Sequence, residues 1–152
     1  MYTLITYVSI HHQNTKKVAE VIAKILKADL VDLKKEKPPS FKNYGLIGFG
    51  SGIYLGKHHQ LILDFVDQLP KMKKKAFIFS TSGAPPFFSF VQHKALQTKL
   101  IRKGFKIQGE LCLPGWDTYG IFKLFGGFNP KRPNEEDLQK ARNFAIKLKK
   151  IN

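Results

Sequence analysis

A single cysteine, Cys112, stands in a chain of 152 residues. That excludes an intrachain disulfide framework and any metal site built from several thiolates, and it suits a reducing, cytoplasmic setting. No apolar run approaches the ~20 residues of a membrane-spanning helix. The N-terminus has no charged segment followed by a long apolar one, so no signal peptide is expected. The five histidines form two adjacent pairs, His11-His12 and His58-His59, with His93 apart. Neighbours in sequence do not converge comfortably on one ion, and no metal site is expected. Ser82 follows an apolar run without the G-x-S-x-G pattern of a nucleophile elbow, which argues against a hydrolase. Acidic residues are also scarce: 11 Asp and Glu against 26 Lys and Arg leave a net charge of +15. Such charge invites nucleic acid or an anionic membrane, but the lysines are scattered over turns and helix ends. Specific nucleic-acid binding is therefore not expected.

What is present alternates. Residues 2–9 form an apolar, β-branched run that ends at Ser9 and gives way to a short polar turn. Val18, Val21, Ile22, Ile25 and Leu26 then recur at helical spacing. A short strand at 28–33, a Pro-containing loop at 34–43, and a buried strand at 44–50 follow. A glycine-rich loop is expected over 51–56. Leu61, Ile62, Phe65, Val66 and Leu69 mark a helix that Pro70 ends. A strand at 75–83 leads into a proline-phenylalanine loop. A third helix is expected over 89–103 with Val91, Leu96, Leu100 and Ile101 inward, and the last strand over 105–113. A long aromatic and glycine-rich loop, 114–134, precedes a final helix that has acids in its first turn and lysines in its last, as the helix dipole prefers. Strands alternating with helices predict one domain, 1–152, with a parallel sheet covered on both faces.

In such sheets ligands sit outside the carboxyl ends of the strands. The loops expected there are 9–15, 51–56, 81–86 and 114–129, all rich in Ser, Thr, Gly, Asn or aromatics. Lysine-rich segments 34–37, 71–75 and 103–106 are assigned to the opposite edge. The turn into the first helix offers backbone amides with no intrahelical partner, an anion site in waiting, although an ordinary N-cap at Asn14 or Thr15 reads the same residues.

With these residues the chain resembles the flavodoxin family over nearly its whole length. Ser9, Asn14 and Thr15 match a phosphate loop of the form T/S-x-T-G-N-T, with His11 in place of a hydroxyl residue and Gln13 in place of glycine. Ser51-Gly52-Ile53-Tyr54 resembles the loop that lays an aromatic on the flavin ring, and Thr81-Ser82-Gly83 the loop bounding its other side. The resemblance implies a flavodoxin-like three-layer α/β sandwich with five parallel strands in the order 2-1-3-4-5. It implies FMN as cofactor and electron transfer to a redox partner protein as function. Ser9, His11, Gln13, Asn14 and Thr15 would hold the phosphate. Ser51, Gly52, Ile53, Tyr54, Thr81, Ser82, Gly83, Trp116 and Asp117 would surround the ring.

Two departures stand out. The family is usually acidic, and this chain is basic. The 114–134 segment, with Asp117 and Tyr119 its most notable polar residues, is not a feature of flavodoxins proper in this form. Its apolar residues Ile121, Phe122, Leu124, Phe125 and Phe128 either dock a partner or cover the core. Two other functions remain open: a flavin-dependent quinone or NAD(P)H oxidoreductase of the same fold, and a basic, non-enzymatic binding module without FMN. The chain is expected to be a monomer or weak dimer.

Overall fold

The computed structural model describes residues 2–118 and 124–151. Five strands, β1 (Tyr2–Val8), β2 (Asp29–Asp32), β3 (Tyr44–Tyr54), β5 (Lys75–Ser82) and β6 (Lys106–Pro114), run parallel in the spatial order β2-β1-β3-β5-β6. This is the expected order 2-1-3-4-5. A sixth strand, β4 (Lys57–His58), is antiparallel to the end of β3, pairing Ile53 with His58 and Tyr54 with Lys57. Helices α1 (Asn14–Leu26) and α5 (Glu135–Lys150) cover one face; α2 (Gln60–Gln68) and α4 (Lys94–Arg102) cover the other, preceded by the single turn α3 (Ser89–Gln92).

The central strands are buried on both faces, so side chains alternate between two cores. Leu4, Val8, Ile47, Phe49, Ala76 and Ile78 point toward α2 and α4. Ile5, Tyr7, Leu46, Phe77 and Phe79 point toward α1 and α5. Gly48 and Gly50 make the second core possible: a Cβ at Gly48 would lie 2.4 Å from the Phe77 ring, and one at Gly50 2.1 Å from the Phe79 ring. Each fully buried phenylalanine stabilises the fold by about 2–3 kcal/mol, and here the glycines give the rings their space. The final helix is set by a capping box, with Asn134 and Asp137 exchanging side-chain-to-backbone bonds. Arg132 Nε donates to the same Asp137 carboxylate at 2.5 Å.

Three expectations need correction. Residues 51–54 are not a loop: β3 continues to Tyr54, because Ser51 and Gly52 pair with Ser80 and Thr81 and the β4 hairpin secures the far side. Cross-strand pairing overrides the low strand propensity of glycine. The helix over 89–103 is broken at His93, whose side chain is pulled inward by Ser80 and Glu110. With the break, Val91 and Ile101 are exposed rather than inward. His58 is buried on β4. Finally, the segment 34–37 begins at the carboxyl edge of the sheet, since the Lys34 amide caps on Asp32 at the end of the parallel strand β2. Tyr119, Ile121 and Phe122 lie outside the described residues.

Candidate functional site

Strand β1 ends at the switch point, where α1 departs toward one face of the sheet and α2, following β3, toward the other. Between Val8 and α1 the chain must turn within five residues. It does so with two left-handed residues, His12 (φ 52°) and Gln13 (φ 57°). The side-chain oxygen of Ser9 accepts the Lys16 amide at 3.2 Å, and the Asn14 amide donates to His11 O at 3.2 Å. The amides of His11, His12, Gln13 and Thr15 donate to no group among the described residues. The turn thus presents unpaired amides at the positive end of a thirteen-residue helix, the arrangement that binds anions.

Around this turn the other carboxyl-edge segments close in. Thr15 and Thr81 share a hydroxyl–hydroxyl bond of 2.8 Å. Asn14 donates its Nδ2 to Trp116 O at 2.9 Å, while its Oδ1 is enclosed without a partner among the described residues. The His12 ring stacks on Trp116, centroids 3.8 Å apart and planes 16° from parallel, and its Nε2 meets the Thr118 hydroxyl at 3.0 Å. Tyr54 folds back over Gly52, where a Cβ would stand 2.9 Å from its hydroxyl. Burial, and then the nearby Asp117 carboxylate, push the Tyr54 hydroxyl up to about 12. It is therefore a neutral donor at any physiological pH. Asp117 rests over Gly83, whose carbonyl also accepts Asn129 Nδ2 at 3.1 Å.

The long loop is pinned at its base. Asp117 and Phe128 form an antiparallel bridge, and Trp116 Nε1 donates to Gly126 O at 2.9 Å. Gly127, at φ 90°, lets the chain pass where a Cβ would sit 2.4 Å from Trp116 Nε1.

One cavity gathers eleven of the residues expected from sequence: His11, Asn14, Thr15, Gly52, Ile53, Tyr54, Thr81, Ser82, Gly83, Trp116 and Asp117. Three stand outside its lining. Ser9 is turned to the helix amide. Gln13 contributes its backbone turn. Ser51 is buried, donating to Gly52 O at 2.7 Å and accepting the His59 amide at 2.9 Å, so it supports the hairpin. Sequence reasoning missed Ile10 and Gly115 in the lining, and Asn129 and Thr118 behind it. No motif marks these four; only the closure of the long loop on the first turn brings them in. The space within it is about 30 Å³, room for about one water, with Tyr54 and Trp116 among its walls.

Residues 4–106 match the flavodoxin domain family. The chain belongs to the flavodoxin family. It is 55% identical over 150 residues to an uncharacterised protein of Methanocaldococcus jannaschii, covering 99% of each chain. Among solved structures, it is similar to a flavodoxin from the domain Archaea, with a TM-score of 0.72 at 16% identity over 99% of this chain and 97% of the other. It is also similar to oxidised flavodoxin 2 from Bacillus cereus, with a TM-score of 0.69 at 21% identity over the whole of both chains. At these identities the structural likenesses speak for the fold. Among the described residues no helix is long and apolar enough to cross a membrane.

Proposed function

We propose that this flavodoxin-family chain binds FMN and carries electrons to and from a partner protein in the cytoplasm. The observation that carries the reading is the turn 9–13, with unpaired amides at the start of α1, at the β1/β3 switch point. A phosphate there accepts from the amides of 11–13 and Thr15, with the Thr15 hydroxyl beside them. The donor set fits a phosphate, and no carboxylate lines that end of the cavity. The ring end fits in kind: Tyr54 and Trp116 are two aromatic faces at the ends of β3 and β6. Trp116 would offer its face to the ring once the His12 imidazole, now stacked on it, moved aside.

Bound FMN supplies one- and two-electron transfer, which no side chain of this protein offers. The chain's own part is positional. α1 and the first turn would hold the phosphate, the neutral Tyr54 would cover the ring without adding charge, and the pinned base of the 114–134 loop would keep Trp116 at the edge.

An absorbance titration of the purified protein with FMN tests the reading. We expect a structured flavin band at one FMN per chain, together with quenching of the single tryptophan, which is Trp116. An unchanged flavin spectrum with unchanged emission at a large excess of FMN would end the proposal. NAD(P)H–quinone turnover without a second protein would instead favour the oxidoreductase.

A further inference from the structure

We propose that the aromatic rim beside the ring site is the docking surface for an acidic electron-transfer protein, one with an apolar centre ringed by carboxylates. The inference rests on the FMN-carrier reading and names its partner.

The segments that leave the sheet at this edge carry large apolar side chains that face solvent: Leu55 is 88% exposed, Phe87 69%, Phe90 71% and Phe128 46%. Exposed apolar side chains gathered in one place mark an interaction site more often than scattered ones do. A groove of about 360 Å³ joins Leu55, Pro85 and Phe128, and shares Ile53, Ser82, Gly83 and Asp117 with the candidate site. Whatever fills the groove therefore sits against the ring position, where electrons must cross.

The aromatic arm is held in place. Ser82 Oγ accepts both the Ala84 amide and Gln92 Nε2 at 3.1 Å. His93 meets Ser80 at 2.6 Å and Glu110 at 2.8 Å. These buried anchors fix both ends of the segment that displays Phe87 and Phe90, so little ordering is left to do on binding.

Charge selects the occupant. Lys57, Lys94 and Lys131 are exposed around the rim and make no ion pair among the described residues. Carboxylates on a partner complement them and steer its approach. A second copy of this chain brings the same +15 charge and is repelled. An anionic bilayer is a continuous charged plane and orients a protein by its densest cations. Four of them, Lys73, Lys74, Lys75 and Lys106, line one groove at the other end of the sheet, and a bilayer held there would leave the aromatic rim turned away.

The test uses the FMN-loaded full chain with two probes: a small acidic ferredoxin and, as opposite charge, cytochrome c. Calorimetry at low salt should give a Kd for ferredoxin roughly tenfold or more below that for cytochrome c, rising steeply with salt. The exposed pair Phe87→Ser/Phe90→Ser and the triple Lys57→Glu/Lys94→Glu/Lys131→Glu should each weaken ferredoxin roughly tenfold or more, with FMN stoichiometry and circular dichroism unchanged. Equal affinity for the two probes, or variants that bind ferredoxin like the parent, would overturn the inference. So would sedimentation with phosphatidylglycerol vesicles, or dimerisation, that the phenylalanine pair abolishes while ferredoxin binding persists. If the chain takes up no FMN, the carrier reading fails by that result, and the calorimetric Kd of the FMN-free chain still decides the docking surface.

Discussion

The two faces of the sheet are built on opposite terms, although they share the same strands. Beneath α1 and α5 the packing is carbon on carbon: Phe77 and Phe79 lie flat in the space above Gly48 and Gly50. Beneath α2 and α4 the apolar core stops short of the carboxyl edge. There His58, Ser80, Ser82, Gln92 and His93 are all buried together. Alternation along β5 divides the roles. Phe77, Phe79 and Thr81 face α1, while Ile78, Ser80 and Ser82 face the other way. One face fixes the sheet by shape. The other fixes the α3 arm to the sheet by hydrogen bonds, and it carries their vulnerability to pH.

The shape-fixed face breaks most readily by adding one carbon. In Gly50→Ala the new Cβ would stand 2.1 Å from Phe79 Cζ, and the ring cannot retreat because it is fully buried. Overpacking of this kind costs about 3 kcal/mol, which should appear as a lower urea midpoint with an unchanged slope. A loss under about 0.5 kcal/mol would mean that the face yields, and that glycine there is not dictated by the phenylalanine.

The polar face breaks by protonation. Burial, then the neighbouring His93 ring at 4.9 Å, push the His58 imidazole down to about 3, against the backbone groups of Phe79 and Gln92, which raise it. Between the ordinary histidine value and about 3, the unfolded chain holds a proton that the folded chain refuses. Stability is therefore complete at neutral pH and falls as pH falls through that window. From pH 7 to pH 4 the loss attributable to this residue is on the order of 3 kcal/mol. Carboxylates as a class titrate in the same range. The measurement is accordingly a difference: urea midpoints of the parent and of His58→Gln across pH. The variant's curve should be flatter. Parallel curves would show that His58 finds a proton in the folded protein, and the contrast between the faces would shrink.

The same contrast decided what could be read in advance. Apolar runs located the five parallel strands and the turn after β1, while the sheet order came from the resemblance to flavodoxins. Leu96 and Leu100 are recognisable as inward for the same reason. The polar face was opaque. His58 beside His59 looks like a surface pair, yet one ring is buried and the other accepts the Leu61 amide at the start of α2. His93 sits inside a helical pattern that gives no hint of a break, because the pull comes from Ser80 and Glu110, thirteen and seventeen residues away. The strand over 51–54 was hidden by its glycine for a related reason, since its partners on β5 and β4 are not local. At the site, the side chains beside the first turn were legible by type. Their crowding was not, because it follows from the His12–Trp116 stack and the bridge from Asp117 to Phe128.

The smallest expected effect sharpens the comparison where the shape-fixed face meets the site. Gln13 holds φ 57° with no side-chain hydrogen bond to cap the helix, and its side chain is exposed. An L-residue in that region is disfavoured by ~1–2 kcal/mol, and glycine returns part of this while losing ~0.5–1 kcal/mol to unfolded-state entropy. Gln13→Gly should therefore stabilise the FMN-free protein by about 0.5–1 kcal/mol, or roughly 2 °C in Tm. His12, at φ 52°, should not follow the same rule, because its ring is tied to Trp116 and Thr118 and glycine would forfeit both contacts. A gain at 13 paired with a loss at 12 would show that the turn spends strain on backbone geometry at one residue and recovers it through a side chain at the next. A loss at both would mean that Gln13 holds the turn through contacts of its own.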